Sequence, residues 1–137
     1  MKNNILTIYN EMNHFGRVNN MTYEVIQPGE IIYRFTPVKE HLATKTAVHG
    51  GVLAAYMDAI IGVAALSAVY QEEKLVATIE FKINFIAPAL ENEELIGKGV
   101  VLSKGKSTLV CKGEILNPQG KTIAIAQGTL KSYPFPK

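Results

Sequence analysis

The chain has 137 residues, of which 47% are hydrophobic and 19% charged, and a net charge of +2. That length lets one domain, residues 1–137, bury a core without staples, and the composition excludes a disordered chain. The small charge leaves no electrostatic footprint for nucleic acid, and the lone Cys111 excludes an internal disulfide framework.

Asn3 to Phe15 reads as a short amphipathic helix, with Ile5, Tyr9 and Met12 near helical spacing and Gly16 as its stop signal. No continuous apolar stretch or small-residue cleavage site follows Met1, so the expected compartment is the cytoplasm. Met21 to Gln27 and Ile31 to Pro37 are predicted strands about the turn pair Pro28-Gly29. His41 to Val48 follows as a loop, and His49-Gly50-Gly51 opens a long helix. From Gly50 to Tyr70 the only charge is Asp58, and the segment is nearly long enough to cross a bilayer. The acid inside the run, flanks without Lys/Arg anchors and a remainder that reads as sheet favour a buried central helix, with no membrane partner.

Beyond that helix the apolar period falls to two. In Leu75 to Ile86, Val76, Thr78, Glu80, Lys82 and Asn84 share one face. Ala77, Ile79, Phe81, Ile83 and Phe85 share the other, which should meet the core. Pro88 ends the strand. Leu95 to Leu102 and Ser107 to Leu116 are joined through Ser103-Lys104-Gly105-Lys106, and Asn117-Pro118-Gln119-Gly120 has the pattern of a type I turn. A last strand runs from Thr122 to Tyr133, and the Pro134-Phe135-Pro136 tail cannot extend it as a central strand. Successive strands joined by short turns predict an antiparallel sheet. The expected class is α+β, a sheet curled around one helix.

The informative stretch is His49 to Asp58. A helix start has unpaired N–H groups and the positive end of the dipole, and two glycines there let another group approach the backbone. Gly50 and Gly51 therefore suit a negatively charged or polarised oxygen, such as a carbonyl under attack. Asp58 stands in an apolar helix without a local partner, and its helical neighbours Gly51, Ala54, Ala55, Gly62 and Ala65 are all small. It either answers a structural need, by the dipole or a core polar group, or does chemistry; its distance from the first turn counts against the dipole, and unpaired intrahelical acids favour function. Gly50 and Asp58 are eight residues apart, roughly 12 Å along the axis. Both can serve one carbonyl only if they come from different copies of the chain, with two helices antiparallel across a two-fold axis.

These residues resemble the hotdog-fold acyl-CoA thioesterases of the 4-hydroxybenzoyl-CoA and phenylacetate-pathway type. The likeness starts at His49-Gly50-Gly51 with the aspartate eight residues after the first glycine, and continues through Ala77 to Ala89, Val101 to Ser107 and Gly120 to Gly128. It covers about Gln27 to Tyr133. It implies an antiparallel sheet wrapped around the central helix, an acyl-CoA substrate, no cofactor or metal, and a homo-oligomer (a dimer or a dimer of dimers) with sites at the subunit interface. By the resemblance, Gly50 N–H polarises the thioester carbonyl, Asp58 of the other subunit is general base or nucleophile, Thr78 orients the attacking water, and His49 lines the site. One departure is Ala43, at a position where relatives carry Asn or Gln to hold the acyl carbonyl.

Lys104 and Lys106 flank a hairpin glycine, where they either meet the coenzyme A phosphates or are solvated; Lys82 and Lys121 are weaker candidates. Cys111 reads as inert packing. His14 and His41 have no pairing that the sequence argues, and Tyr56 and Met57 read as core or interface. Three functions follow: an acyl-CoA thioesterase, a non-catalytic acyl-CoA-binding protein favoured by Ala43, and a dehydratase or hydratase whose usual His-Phe-Pro signature is absent.

Overall fold

A helix that is apolar on every side has no face to give to water, and the sheet is built around that fact. The computed structural model describes residues 4–136. Its long helix, α3, spans Gly50–Val69. Before it come α1 (Asn4–Met12), α2 (His14–Val18), β1 (Thr22–Gln27) and β2 (Glu30–Phe35). After it come β3 (Lys74–Phe85), β4 (Leu95–Lys104), β5 (Thr108–Leu116) and β6 (Thr122–Pro134). Short 3-10 turns fall at Lys39–His41 and Tyr70–Glu72.

The strands form one antiparallel sheet in the order β1-β2-β4-β5-β6-β3. The strands joined by short turns, β1–β2, β4–β5 and β5–β6, are antiparallel neighbours as expected, whereas β3 and β4, consecutive in the chain, do not pair. β3 leaves α3 and pairs with β6, and residues 86–94 carry the chain back to β4 beside β2. β3 is therefore an edge, although it is the first strand after the helix.

Strands β2 to β6 all pack on α3. Tyr56, Met57, Ile60 and Ile61 of the helix are fully buried against Leu95, Leu109, Cys111 and Ile115, and full burial of each Leu- or Ile-sized side chain stabilises by about 1.5–3 kcal/mol. Close approach requires bare backbone below the helix. A Cβ on Gly99 would lie 2.8 Å from the Ile60 carbonyl oxygen, and one on Gly113 would lie 2.5 Å from Met57 Sδ. The Tyr56 hydroxyl donates to the Tyr33 carbonyl at 2.5 Å, so its burial is matched by a hydrogen bond.

The N-terminal helix is two helices rather than one. Asn13 Oδ1 accepts the Gly16 N–H at 3.1 Å and caps a new turn. Gly16, expected as a stop, is buried inside α2. Asn3, the expected first residue, lies outside the described residues.

β3 also departs from its simple alternation. Thr78 pairs with Leu130 and Glu80 with Thr129, so Ile79 is an extra residue. One inserted residue inverts the facing of everything before it relative to everything after it. Phe81 and Ile83 pack on the core as expected, but so does Val76 from the predicted outer face. Ala77 is exposed, and Ile79 is 57% exposed.

Candidate active site

His49 is the N-cap of α3, and its ring Nδ1 accepts the Gly51 N–H at 2.8 Å. The Val52 and Leu53 N–H groups donate to the His49 carbonyl. Among the hydrogen bonds of the described residues, Gly50 N–H has no acceptor. That amide stands at the positive end of a twenty-residue helix, where a negatively charged or polarised oxygen is favoured. The Phe85 ring bounds it: a Cβ on Gly50 would sit 3.6 Å away.

Asp58 lies two turns further on. Its side chain is exposed, so the cost of burying a carboxylate is not incurred within one chain. Thr78 Oγ1 donates to Asp58 Oδ1 at 2.6 Å. The bulge at Ile79 makes this bond possible: with unbroken alternation Thr78 would share a face with Glu80 and Lys82 and point away from the face bearing Phe81 and Ile83.

The pair opens onto a cavity of about 650 Å³. Ala55, Ala59, Gly62 and Leu66 of α3 form one wall, and Leu75 to Thr78 with Leu130 form another. Tyr9, Asn13 and Phe15 complete it. Burial above all, then Tyr33, Tyr23 and the Asp58 charge, push the Tyr9 phenol pKa upwards, so it is a neutral donor beside the carboxylate. Asn13 Nδ2 donates to the Tyr33 hydroxyl at 3.3 Å.

Of the residues singled out from sequence, Asp58 and Thr78 are brought together. His49, Gly50 and Gly51 form a separate cluster at the helix start, roughly 12 Å from Asp58 along the axis. Lys104 is at the opposite end, where its Nζ donates to the Ala68 carbonyl at 3.0 Å and pairs with Glu72. That contact chiefly holds the Glu72 carboxyl below its usual range. Lys106 is exposed on the β4–β5 hairpin. In the loop before α3, Ala43 contributes only its N–H, to the Ala47 carbonyl, and Thr44 Oγ1 accepts the Ala47 N–H at 3.0 Å.

His41 gains a structural role that the sequence did not argue. Its Nδ1 accepts the Val38 N–H at 2.9 Å, its Nε2 lies 2.7 Å from Asn19 Oδ1, and its ring packs on Phe35. Cys111 is fully buried, and burial pushes its thiol up to about 12. Among the described residues no group of three His, Cys, Asp or Glu is arranged for a metal. Cavity residues that the sequence did not single out for the site include Tyr9, Asn13 and Phe15 of the N-terminal segment; the apolar spacing of the first helix, which contains Tyr9, was the signal toward them.

A sheet curled around a single long helix, with an acid on that helix beside an apolar cavity, defines a hotdog protein of the thioesterase superfamily. Residues 46–124 match the model of the thioesterase superfamily, and the chain belongs to that family. It is 32% identical over 92 residues to a "Putative esterase" of Archaeoglobus fulgidus, covering 67% of this chain and 57% of that relative. The match thus spans little more than half of the relative's length. Among solved structures, the PaaI protein of the E. coli phenylacetic acid degradation operon superposes with a TM-score of 0.83 at 22% identity, covering 97% of this chain and 93% of the other. A hypothetical thioesterase of Streptococcus pneumoniae TIGR4, solved with coenzyme A, gives 0.77 at 23% identity over 86% and 92%.

Proposed function

We propose that this protein hydrolyses acyl-CoA thioesters, with Asp58 of one protomer acting on a carbonyl polarised by Gly50 N–H of its partner. The observation that carries the reading is the exposed Asp58 carboxylate, oriented by Thr78 at 2.6 Å and set at the head of an apolar cavity. An acid with only that job on an apolar helix is a candidate for chemistry rather than folding. Coenzyme A in the structure of the Streptococcus pneumoniae relative and acetyl-CoA in a Streptococcus mutans one support the substrate class.

In the general-base route, Asp58 takes a proton from water as the water oxygen bonds to the thioester carbon. The carbonyl electron pair moves onto oxygen, where the Gly50 amide and the helix dipole stabilise it. Collapse expels the thiolate of coenzyme A, which recovers the proton and leaves the free acid. In the covalent route Asp58 itself adds to the carbon and expels the coenzyme A thiolate, which leaves a mixed anhydride. Water then cleaves that anhydride to the free acid and the Asp58 carboxylate, and its released proton goes to the thiolate. Both need an ionised Asp58.

The cross-subunit element rests on distance and on the free edge of β3. One chain cannot apply groups roughly 12 Å apart to one carbonyl. β3 pairs on one side only, and Ile79 and Phe85 are 57% and 52% exposed along it. A long edge with apolar side chains is a template for another strand, and a second copy related by a two-fold axis would set two α3 helices antiparallel. Lys106 would then be a point charge for the phosphates of coenzyme A, whereas Lys104 would first have to leave Glu72.

A second reading, acyl-CoA binding without turnover, is favoured by Ala43, whose own side chain has no donor for the acyl carbonyl. The test is thiol release from a panel of acyl-CoA esters by the wild type and Asp58→Asn. The expected result is turnover by the wild type and a loss of at least about a thousandfold in the variant, with unchanged circular dichroism. Equal rates would remove Asp58 from the chemistry, and tight binding with no wild-type turnover would establish the second reading.

A further inference from the structure

We propose that the cavity beside Asp58 is a channel for an extended, medium-length acyl chain, and that Gly62 sets how long a chain it takes; this rests on Asp58 being the catalytic carboxylate. The channel has a direction. Along α3 its lining residues Ala55, Asp58, Ala59, Gly62 and Leu66 fall at helical spacing on one face. The polar pair Asp58 and Thr78 stands near one end, and Leu66 is the far residue on the helix. From Asp58 to Leu66 is eight residues, roughly 12 Å. An extended chain gains about 1.2 Å per bond, so that distance takes roughly ten bonds.

Gly62 supplies the observation that the packing of this chain does not fill the space. Glycine inside a helix costs about 1 kcal/mol relative to alanine. Gly97, Gly99 and Gly113 are required by packing, since a Cβ at each would collide with α3. A Cβ on Gly62 would meet nothing within 4 Å. The helix thus forgoes stability at a position where its own chain has room to spare, in the wall of the cavity and one turn beyond Asp58. Four residues along α3 is about 6 Å, or roughly five bonds of acyl chain. Beyond Asp58, Thr78 and the Tyr9 phenol the lining offers little free polarity: both ends of the Asn13 amide are bonded, to Gly16 N–H and the Tyr33 hydroxyl. An apolar chain therefore fits this space better than a polar one.

Gly62→Leu fills the channel from the helix side. The experiment compares kcat/KM for butyryl-, hexanoyl-, octanoyl- and decanoyl-CoA in the wild type and this variant, with oligomeric state followed by size-exclusion chromatography. The expected result is a fall of about a hundredfold in the decanoyl-to-butyryl ratio, with the break between hexanoyl and octanoyl, since single methylenes in an apolar pocket discriminate 10- to 200-fold. An unchanged ratio overturns the proposal. So does a change of oligomeric state, which would assign the space to a second copy of the chain. Should the wild type hydrolyse none of the series, the catalytic reading fails by itself, and the channel is judged by calorimetric binding of butyryl- and decanoyl-CoA. Selective weakening of decanoyl-CoA by Gly62→Leu supports it, and equal weakening overturns it.

Discussion

Proline at position 50 removes one hydrogen-bond donor and little else. Position 50 is the first residue of α3, where the missing proline N–H is tolerated and its fixed φ suits the helix. Residues before proline must be extended, and His49 already has φ −62° and ψ 134°. The added Cβ would make ordinary contact with Phe85, 3.6 Å away. No protein acceptor among the described residues loses a partner, because Gly50 N–H has none. The variant should therefore fold, with stability raised by about 0.4–1 kcal/mol through the less flexible unfolded chain. If that amide holds the oxyanion, kcat should fall by roughly 10²–10³-fold, or about 2.7–4 kcal/mol of transition-state stabilisation. Gly50→Ala adds a similar Cβ while keeping the amide, and so separates loss of the donor from addition of a side chain.

Thiol release gives the rate and thermal unfolding the stability. Mixing then tests whose amide serves whose carboxylate. Gly50→Pro and Asp58→Asn protomers, each inactive alone, would form mixed dimers with one intact and one doubly damaged site. Random pairing should restore about a quarter of wild-type activity. A folded Gly50→Pro protein with wild-type kcat would refute the role of the amide. No recovery on mixing would refute the shared site.

Thr78→Val preserves the shape of the β3 side chain while removing the donor to Asp58. The bond is exposed, so the unfolding midpoint should stay near that of the wild type, while misplacing the Asp58 carboxylate should lower turnover roughly 10- to 100-fold in a steady-state thiol assay. Cys111 should be silent to a chromogenic disulfide reagent in the folded protein. Burial raises its pKa to about 12, so the reactive thiolate is scarce at pH 8 and grows only as pH approaches that value. Full reaction should appear on adding denaturant, and rapid labelling of the native protein would contradict its burial.

The features legible in the sequence are those written in local chemistry. The uninterrupted apolar run with its glycine start marks α3, and the Asn117 to Gly120 turn closes as expected, with Gly120 N–H bonded to the Asn117 carbonyl at 2.9 Å. The features that escaped depend on what lies opposite. A run with period two carries no mark of a residue that its partner strand fails to match, so Ile79 looked like core and Thr78 like its outer neighbour. Asn13 could equally have continued a helix; its bond to Gly16 N–H divides α1 from α2. The joining of Tyr9 and Phe15 to Asp58 arises from packing across more than forty residues of chain, and the exchange of β3 to the sheet edge is likewise a pairing choice made only once β6 exists.

The helix that organises this fold is also a hazard while the chain is being made. Within Gly50–Glu72 an eighteen-residue stretch has a mean hydropathy of 2.0, and the helix passes for a membrane-crossing one by length and composition. Four of the six strands follow α3, so a growing polypeptide completes its greasiest element well before its wrapping is synthesised. Until β6 arrives to hold β5 and β3 together, that surface is bare and prone to self-association. Chains cut short after α3 should accordingly be captured by chaperones or aggregate rather than persist as smaller folded units.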